Sequence, residues 1–322
     1  LKHDQPLVTI AIPTYNRANY LQEAIQSALS QTYTHLEIIV SDNASDDNTQ
    51  EVVSKFCDPR ISYIRQDTNV GMHANWQFCL EKAAGEFFLL LSDDDTLMPE
   101  AIAWLVEQFH VPNVAMAYCR VAMVDESGRA ISLSQLSPET EIGESFILHR
   151  LNVGRQGRTA APSATLFRVD DARSYGGYPA VGLTCDMALS LCLATGGEVR
   201  FSQRPMVQYR IHSGSVSTQG LVMAESLRAL FRWASSPTSP LYTYRALLKL
   251  YAIKSTYGSA AAYALRGGRN AVDSQVVFLR ALGAPWWQPM MLRMCMLRPT
   301  QIAAAFRRWA RRLLLERVPR RN

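Results

Sequence analysis

The 322-residue sequence has six cysteines, at positions 57, 79, 119, 185, 192 and 295, and no C-x-x-C pair among them. That excludes a zinc-ribbon or thioredoxin-type motif. A chain this long buries enough core to need no disulfides, so the expectation is reduced thiols in a cytoplasmic setting. No run of about 18 apolar residues is present to span a bilayer as a helix. No signal peptide is visible, although the chain opens on Leu1 and not Met, as it would after loss of a short leader. No G-x-G-x-x-G follows the first apolar run, which argues against a dinucleotide oxidoreductase.

Charge is scarce over most of the chain and concentrated at one end. Charged residues make up 19% and hydrophobic residues 48%, an ordinary balance for a folded protein. The net charge of +5 is an uneven average. Residues 298–322 hold eight arginines and one acid, Glu316, for a local charge of +7, which leaves the first 297 residues at −2. The body therefore offers no basic face for nucleic acid.

What is present is alternation. Apolar runs at Leu7–Ile12, Leu36–Val40, Ile61–Ile64, Phe87–Leu91 and Val114–Val124 read as strands. Between them, helical spacing covers Asn19–Ser30, with Asn19 as cap. Further helices are expected from Asp46 or Asp47 through Phe56, over His73–Ala84, and from Pro99 through Phe109. The pattern predicts an α/β fold with a mainly parallel sheet covered on both faces. Residues 126–182 read as irregular. Leu183–Ala194 reads as a helix stopped by Gly196-Gly197, followed by short strands at Val199–Phe201 and Met206–Ile211. Beyond about 219 the pattern is almost wholly helical, which places a domain boundary near 218.

Ligands of parallel sheets gather at the carboxyl ends of strands. Thr14-Tyr15-Asn16, Ser41-Asp42-Asn43 and Ser92-Asp93-Asp94-Asp95 all fall at such ends. Three adjacent carboxylates after a buried strand repel one another. A hard divalent cation bridging to diphosphate oxygens would offset that. For an isolated D-D-D, a helix cap with two solvated acids is the competing reading.

The stretch V-T-I-A-I-P-T-Y-N-R, then S-D-N-A-S-D-D-N-T, N-V-G and A-A-G-E-F-F-L-L-L-S-D-D-D, resembles the family 2 glycosyltransferases of the GT-A fold across about residues 6–110, and more weakly to about 217. The resemblance implies a GT-A-like, Rossmann-related mixed sheet in a catalytic domain at 1–218. Its nucleotide-binding half would be about 1–125 and its acceptor half about 126–218, with a helical C-terminal region at 219–322. It implies that Pro13, Thr14, Tyr15, Asn16, Asp42, Asn69 and Gly71 meet the nucleotide. It implies that Asp93 and Asp94 contact the donor, and that Asp94 and Asp95 lie nearest the phosphates and a Mn²⁺ or Mg²⁺ ion. For Asp46 and Asp47, capping is the better reading. The simple alternatives remain a turn at Asp42 and at Asn69, and a helix start at Asn16-Arg17.

Farther on, Tyr175-Gly176-Gly177-Tyr178 through Cys185-Asp186-Met187 resembles the family's G-G-[FY] … E-D element, which implies that Asp186 is the catalytic base. A carboxylate there could take the acceptor's proton; the alternative is an acid that favours a helix N-terminus. Tyr209-Arg210-Ile211-His212, then Ser215 and Ser217, resembles the Y-R-x-H-x-x-S-x-S element. It implies that Arg210 reaches a diphosphate oxygen and His212 the metal. Three departures stand out: Ser92 where an Asp is common, His73-Ala74-Asn75 where an Arg is common, and Cys185 where a Glu is common.

The resulting expectation is an inverting, metal-dependent transferase. It would move sugar from a nucleoside-diphosphate donor, UDP-linked by preference, to a glycan or lipid-linked acceptor in cell-surface polysaccharide synthesis. In the tail, Ile302, Phe306, Trp309 and Leu313 form one stripe with arginines largely elsewhere and Leu315 interrupting them. Such a helix suits the anionic cytoplasmic membrane surface, with Trp286-Trp287 as an added anchor. The alternative is packing on the catalytic domain. Other functions to weigh are a nucleotide-sugar-binding protein without transfer activity and a sugar nucleotidyltransferase. The latter would want a glycine-rich basic loop where Pro-Thr-Tyr-Asn stands.

Overall fold

A computed structural model of the chain describes residues 5–151, 160–212, 214, 220–253 and 255. Its contacts divide the chain into two compact units, Leu1–Arg150 with Arg158–Ser215, and Leu151–Gly157 with Val216–Asn322.

The first unit is built on one sheet. Its strands are β1 (Val8–Thr14), β2 (Leu36–Asp42), β3 (Ile61–Arg65), β4 (Phe87–Leu90), β5 (Thr96–Leu97), β6 (Val114–Val124), β7 (Ala130–Leu133), β8 (Thr140–Ile142), β9 (Thr165–Arg168) and β10 (Glu198–Arg210). The order is β3-β2-β1-β4-β9-β6-β10-β5, with β7 on β6 and β8 on β10. Strands β3, β2, β1 and β4 run parallel, as do β6 and β10. Strand β9 runs antiparallel between β4 and β6. The sheet is mostly parallel, as the alternation predicts.

Every residue of β1 is buried, as a central strand covered on both faces requires. Its side chains alternate between faces. Ile10 and Ile12 join Ile38, Val40 and Leu89 in a core closed by Leu21 and Ile25 of α1 (Ala18–Leu29) and Leu105 of α4 (Ala101–Glu107). Burying each such side chain stabilises the fold by about 1.5–3 kcal/mol. On β1 and β2 also packs α3 (Met72–Lys82), and α2 (Thr49–Ser54) leads into β3. The A-A-G-E segment needs its glycine. A Cβ on Gly85 would stand 2.7 Å from the Thr9 amide nitrogen and 2.8 Å from the Leu7 carbonyl.

Several expectations change. Helix α1 starts at Ala18, not Asn19, and its N-cap Arg17 makes no side-chain cap bond. Instead Asp47 Oδ2 accepts the Ala18 amide at 3.0 Å, while Asp47 Oδ1 accepts that of Thr49 at 3.1 Å. One acid thus serves the starts of both α1 and α2. The described part of 126–182 is not irregular. It contains β7, β8, α5 (Gly143–Leu151), β9 and α6 (Val169–Ser174), and β9 lies near the sheet centre. Four residues, T-L-F-R, are too few to show a period. The two short strands after 198 are one, β10, whose register shifts around Pro205, a residue that cannot donate to a ladder. Helix α7 (Cys185–Ala194) follows a short 3₁₀ turn at Gly182–Thr184.

In the second unit, α8 (Gly220–Ala234) and a helical stretch at 245–253 are described. The basic tail, Trp286-Trp287, Ser215 and Ser217 lie outside the described residues. Among the described residues no helix is long and apolar enough to cross a membrane.

Candidate active site

Strand order reverses at β1: β2 and β3 lie to one side of it, β4 to the other. That switch opens a crevice at the carboxyl ends. Register brings Thr14 level with Asp42, and Ala11 level with Leu90, so the loops after β1, β2 and β4 share one rim.

Asp42 is fully buried on that rim. Its Oδ1 accepts the Ser45 amide at 2.9 Å, and its Oδ2 accepts the Tyr63 hydroxyl at 2.7 Å and Arg65 Nη1 at 2.8 Å. Burial opposes ionisation, but these bonds outweigh it and hold the carboxyl below its ordinary range. Asp42 is therefore a fixed anion that organises Tyr63 and Arg65. The Arg65 side chain is 41% exposed. It is a cation on this rim, paired with Asp42, that sequence reasoning overlooked.

Asn16 takes a left-handed φ of 53°, which asparagine tolerates. Its amide donates to Ser45 Oγ at 2.9 Å, and its Oδ1 accepts the Asp46 amide at 2.7 Å. Pro13 and Thr14 are buried at the end of β1, while Tyr15 is 42% exposed on the loop. Asn69 Oδ1 accepts both Asn43 Nδ2 and the Gly71 amide at 2.9 Å. Gly71, at φ 85°, begins α3 with a backbone that a side chain would strain. His73 Nε2 pairs with the Tyr178 carbonyl at 2.7 Å, tying the nucleotide-side loop to the Gly176-Gly177-Tyr178 segment.

The three acids after β4 have three different environments. Asp93 is buried, and burial pushes it up to about 6 against the pull of Arg17. Asp94 Oδ2 faces two groups: Arg17 Nη1 at 2.7 Å and His212 Nε2 at 3.0 Å. Asp95 is 1% exposed, and both its oxygens are taken. Oδ2 accepts Ser163 Oγ at 2.6 Å and Oδ1 accepts the Arg210 amide at 3.0 Å. Burial, then the charge of Asp94, hold Asp95 well above the usual carboxylate range. Asp95 thus also braces the end of β4 against β10 and the turn at Pro162–Ala164.

Arg210 also differs from expectation. Its Nε donates to the Asp94 carbonyl at 3.1 Å, Nη1 to the Glu126 carbonyl at 2.8 Å, and Nη2 to Glu23 Oε2 at 2.5 Å. The guanidinium lies 5.0 Å over the Tyr20 ring. At 5% exposure, Arg210 commits its guanidinium to Asp94, Glu126 and Glu23. Tyr20 also stacks 5.1 Å from the His212 ring. Arg17, Tyr20, Glu23, Arg65 and Ser163 are the site residues the sequence reading missed. The register of α1 would have shown Arg17 and Tyr20 on the site's edge.

Asp186 opens α7 and is partly buried. Burial raises its pKa, with the Met187 amide and the charge of Arg150 opposing. It borders a cavity of about 20 Å³, with Phe167, Tyr178, Leu189 and Leu193 among its walls. Pro162 lines the same cavity, and its neighbour Ser163 holds Asp95. Two consecutive residues thus link the acid run to Asp186. Cys185 is fully buried, and Asp186 has no adjoining carboxylate on α7.

Among the described residues, no group of three or more His, Cys, Asp or Glu forms a ready metal cage. A hard cation on a nucleotide needs fewer, since phosphate oxygens and water complete its shell. Asp94 and His212 fit that requirement. Asp94 Oδ2 and His212 Nε2 form a hydrogen-bonded pair at 3.0 Å, which sets one carboxylate oxygen and one imidazole nitrogen side by side.

Comparison with known proteins bears on the family and the fold. The chain is 28% identical over 242 residues to an uncharacterised glycosyltransferase of Rickettsia typhi, covering 70% of each. It is 39% identical over 106 residues to the GalNAc(5)-diNAcBac-PP-undecaprenol beta-1,3-glucosyltransferase of Campylobacter jejuni, covering 32% of this chain and 34% of that one. Other curated relatives match over as little as 14% of their length. Among solved structures, S. aureus TarS 1-349 in complex with UDP-GlcNAc superposes with a TM-score of 0.67 at 16% identity, covering 94% of this chain and 91% of that one. A mannosyltransferase of Pyrobaculum calidifontis, in complex with GDP-Man and Mn²⁺, gives a TM-score of 0.55 at 19% identity, covering 96% and 88%. These structural likenesses establish the GT-A fold. The family model described as Glycosyl transferase family 2 matches residues 9–176, just over half of the chain. The chain belongs to glycosyl transferase family 2 and is an enzyme of glycosyl transfer.

Proposed function

We propose that the enzyme transfers sugar from a UDP-sugar to a hydroxyl of a glycan or lipid-linked acceptor with inversion, assisted by Mn²⁺ or Mg²⁺, in surface-polysaccharide synthesis. The UDP-GlcNAc of TarS supports the donor class. The name of the C. jejuni relative supports an acceptor on a lipid carrier. Residues 1–218 would form the catalytic domain.

One arrangement carries this function. Asp94 and His212 pair at the crevice of the sheet, and Asp186 lines a cavity walled in part by Pro162, the chain neighbour of the Ser163 that holds Asp95. Thr14–Asn16, Asp42, Asn69 and Gly71 form the nucleotide rim, with Arg65 as its exposed cation. Asp93 braces the donor side through Arg17, and Asp95 and Arg210 fix the loop that carries Asp94. When bound, the cation would be held by Asp94 and His212 and would neutralise charge on the departing diphosphate. Asp186 takes the proton of the acceptor hydroxyl as its oxygen attacks the anomeric carbon. The bond from that carbon to the diphosphate oxygen breaks, and attack from the opposite face inverts the centre.

A donor screen with Mn²⁺, reading nucleoside diphosphate release in the presence of candidate acceptors, tests this. Asp186→Asn should lose about 10²–10⁴-fold in turnover while still binding UDP. Full turnover by Asp186→Asn, or by Asp94→Asn in chelator, would overturn the assignment.

A further inference from the structure

Asp94 Oδ2 already carries a cation of the protein's own. Arg17 Nη1 lies 2.7 Å from that oxygen and 3.1 Å from Asp93 Oδ1. Its Nη2 donates to the Gly214 carbonyl at 3.0 Å, two residues past His212. Arg17 is thus shared between the acid run and the segment that carries the candidate metal-binding histidine. Its side chain keeps 23% exposure, so it borders the crevice and is not sealed into the core.

A divalent ion held by Asp94 and His212 would use the same carboxylate and stand within a few ångströms of the guanidinium. Two cations on one oxygen in a partly buried site repel strongly. Arg17 must therefore leave Asp94 when the ion arrives. A donor diphosphate supplies the alternative partner, since a guanidinium fork matches phosphate oxygens.

Resting on the donor reading above, we infer that Arg17 is a positioning residue that substitutes for the divalent ion at Asp94 until the donor diphosphate draws it away. Arg17 offsets the charge of Asp93 and Asp94 before metal and donor bind. It also holds the 212–214 segment through Gly214, and releases that contact when it turns to the diphosphate. Metal and donor then bind cooperatively. Each favours the other because Arg17 can satisfy the acids or the diphosphate, but not both.

Mn²⁺ binding to the full chain, measured by electron paramagnetic resonance of the free ion with and without UDP, tests this without any turnover. The wild type should bind Mn²⁺ weakly alone and more tightly with UDP. Arg17→Gln should bind Mn²⁺ alone more tightly, within the range of about 5–150-fold usual for coupled sites. The enhancement by UDP should shrink by the same factor. Arg17→Met, which keeps the aliphatic stem, should behave as Arg17→Gln, and Arg17→Lys as the wild type. Unchanged or weaker Mn²⁺ binding in a folded neutral variant would overturn the inference. So would wild-type Mn²⁺ affinity that is indifferent to UDP. If Mn²⁺ fails to bind even with UDP, or binds equally to Asp94→Asn, the metal reading itself falls.

Discussion

As the proposed base, Asp186 must be ionised, yet burial favours its neutral form. The acid limb of the kcat profile should therefore lie above the ordinary aspartate value of about 3.9. Activity rises with pH through that limb. Arg150 is the cation that opposes the shift, so Arg150→Gln should move the limb to still higher pH. A limb unmoved in Arg150→Gln would show that Arg150 does not act on the base. The same shift has a stability cost of opposite sense. The folded state holds the proton to higher pH than the unfolded chain, so stability falls as pH rises through the raised pKa. Asp186→Asn should therefore melt no lower than wild type at pH 8 while losing turnover, a separation that a merely structural acid would not give.

At the scale of elements, Asp47 is the joint between two helices. It accepts the Ala18 amide of α1 and the Thr49 amide and hydroxyl of α2. Asp47→Ala should destabilise the fold by about 0.5–2 kcal/mol, the usual effect of a lost cap, and read by urea unfolding. Arg17 lies next to Ala18, so the same variant should also loosen Mn²⁺–UDP coupling. A melt equal to wild type would remove Asp47 from this role. The capping function of Asp47 was legible from its type and position, but its second partner was not, because Ala18 is 29 residues away in sequence. The same distinction runs through the site. Asp42, Asn69 and the Asp93–Asp95 run sit at strand ends, and strand ends are visible as the close of apolar runs. The difference in role between Asp94 and Asp95 was not visible. It depends on Ser163 and on the Arg210 amide, which reach Asp95 from strands and turns far along the chain. Strand β9 escaped notice because its burial comes from position between β4 and β6 and not from any period of its own.

The whole molecule segregates its charge. The first 297 residues total −2 and the last 25 total +7. A catalytic body of slight negative charge gains nothing from an anionic surface, so any attraction to one must come from the tail. Each Lys or Arg near an anionic bilayer contributes about 1 kcal/mol, and the effect fades within a Debye length of about 8 Å at physiological salt. The apolar stripe Ile302, Phe306, Trp309 and Leu313 would add a term that salt does not screen. If the tail lies on the membrane, flotation with vesicles containing phosphatidylserine should recover the full chain, and recovery should fall but not vanish as salt is raised. Removal of 298–322 should abolish flotation and leave nucleoside diphosphate release on a soluble acceptor unchanged. Equal recovery of the truncated and full chains would instead assign the tail to packing, with its arginines as a solvated face.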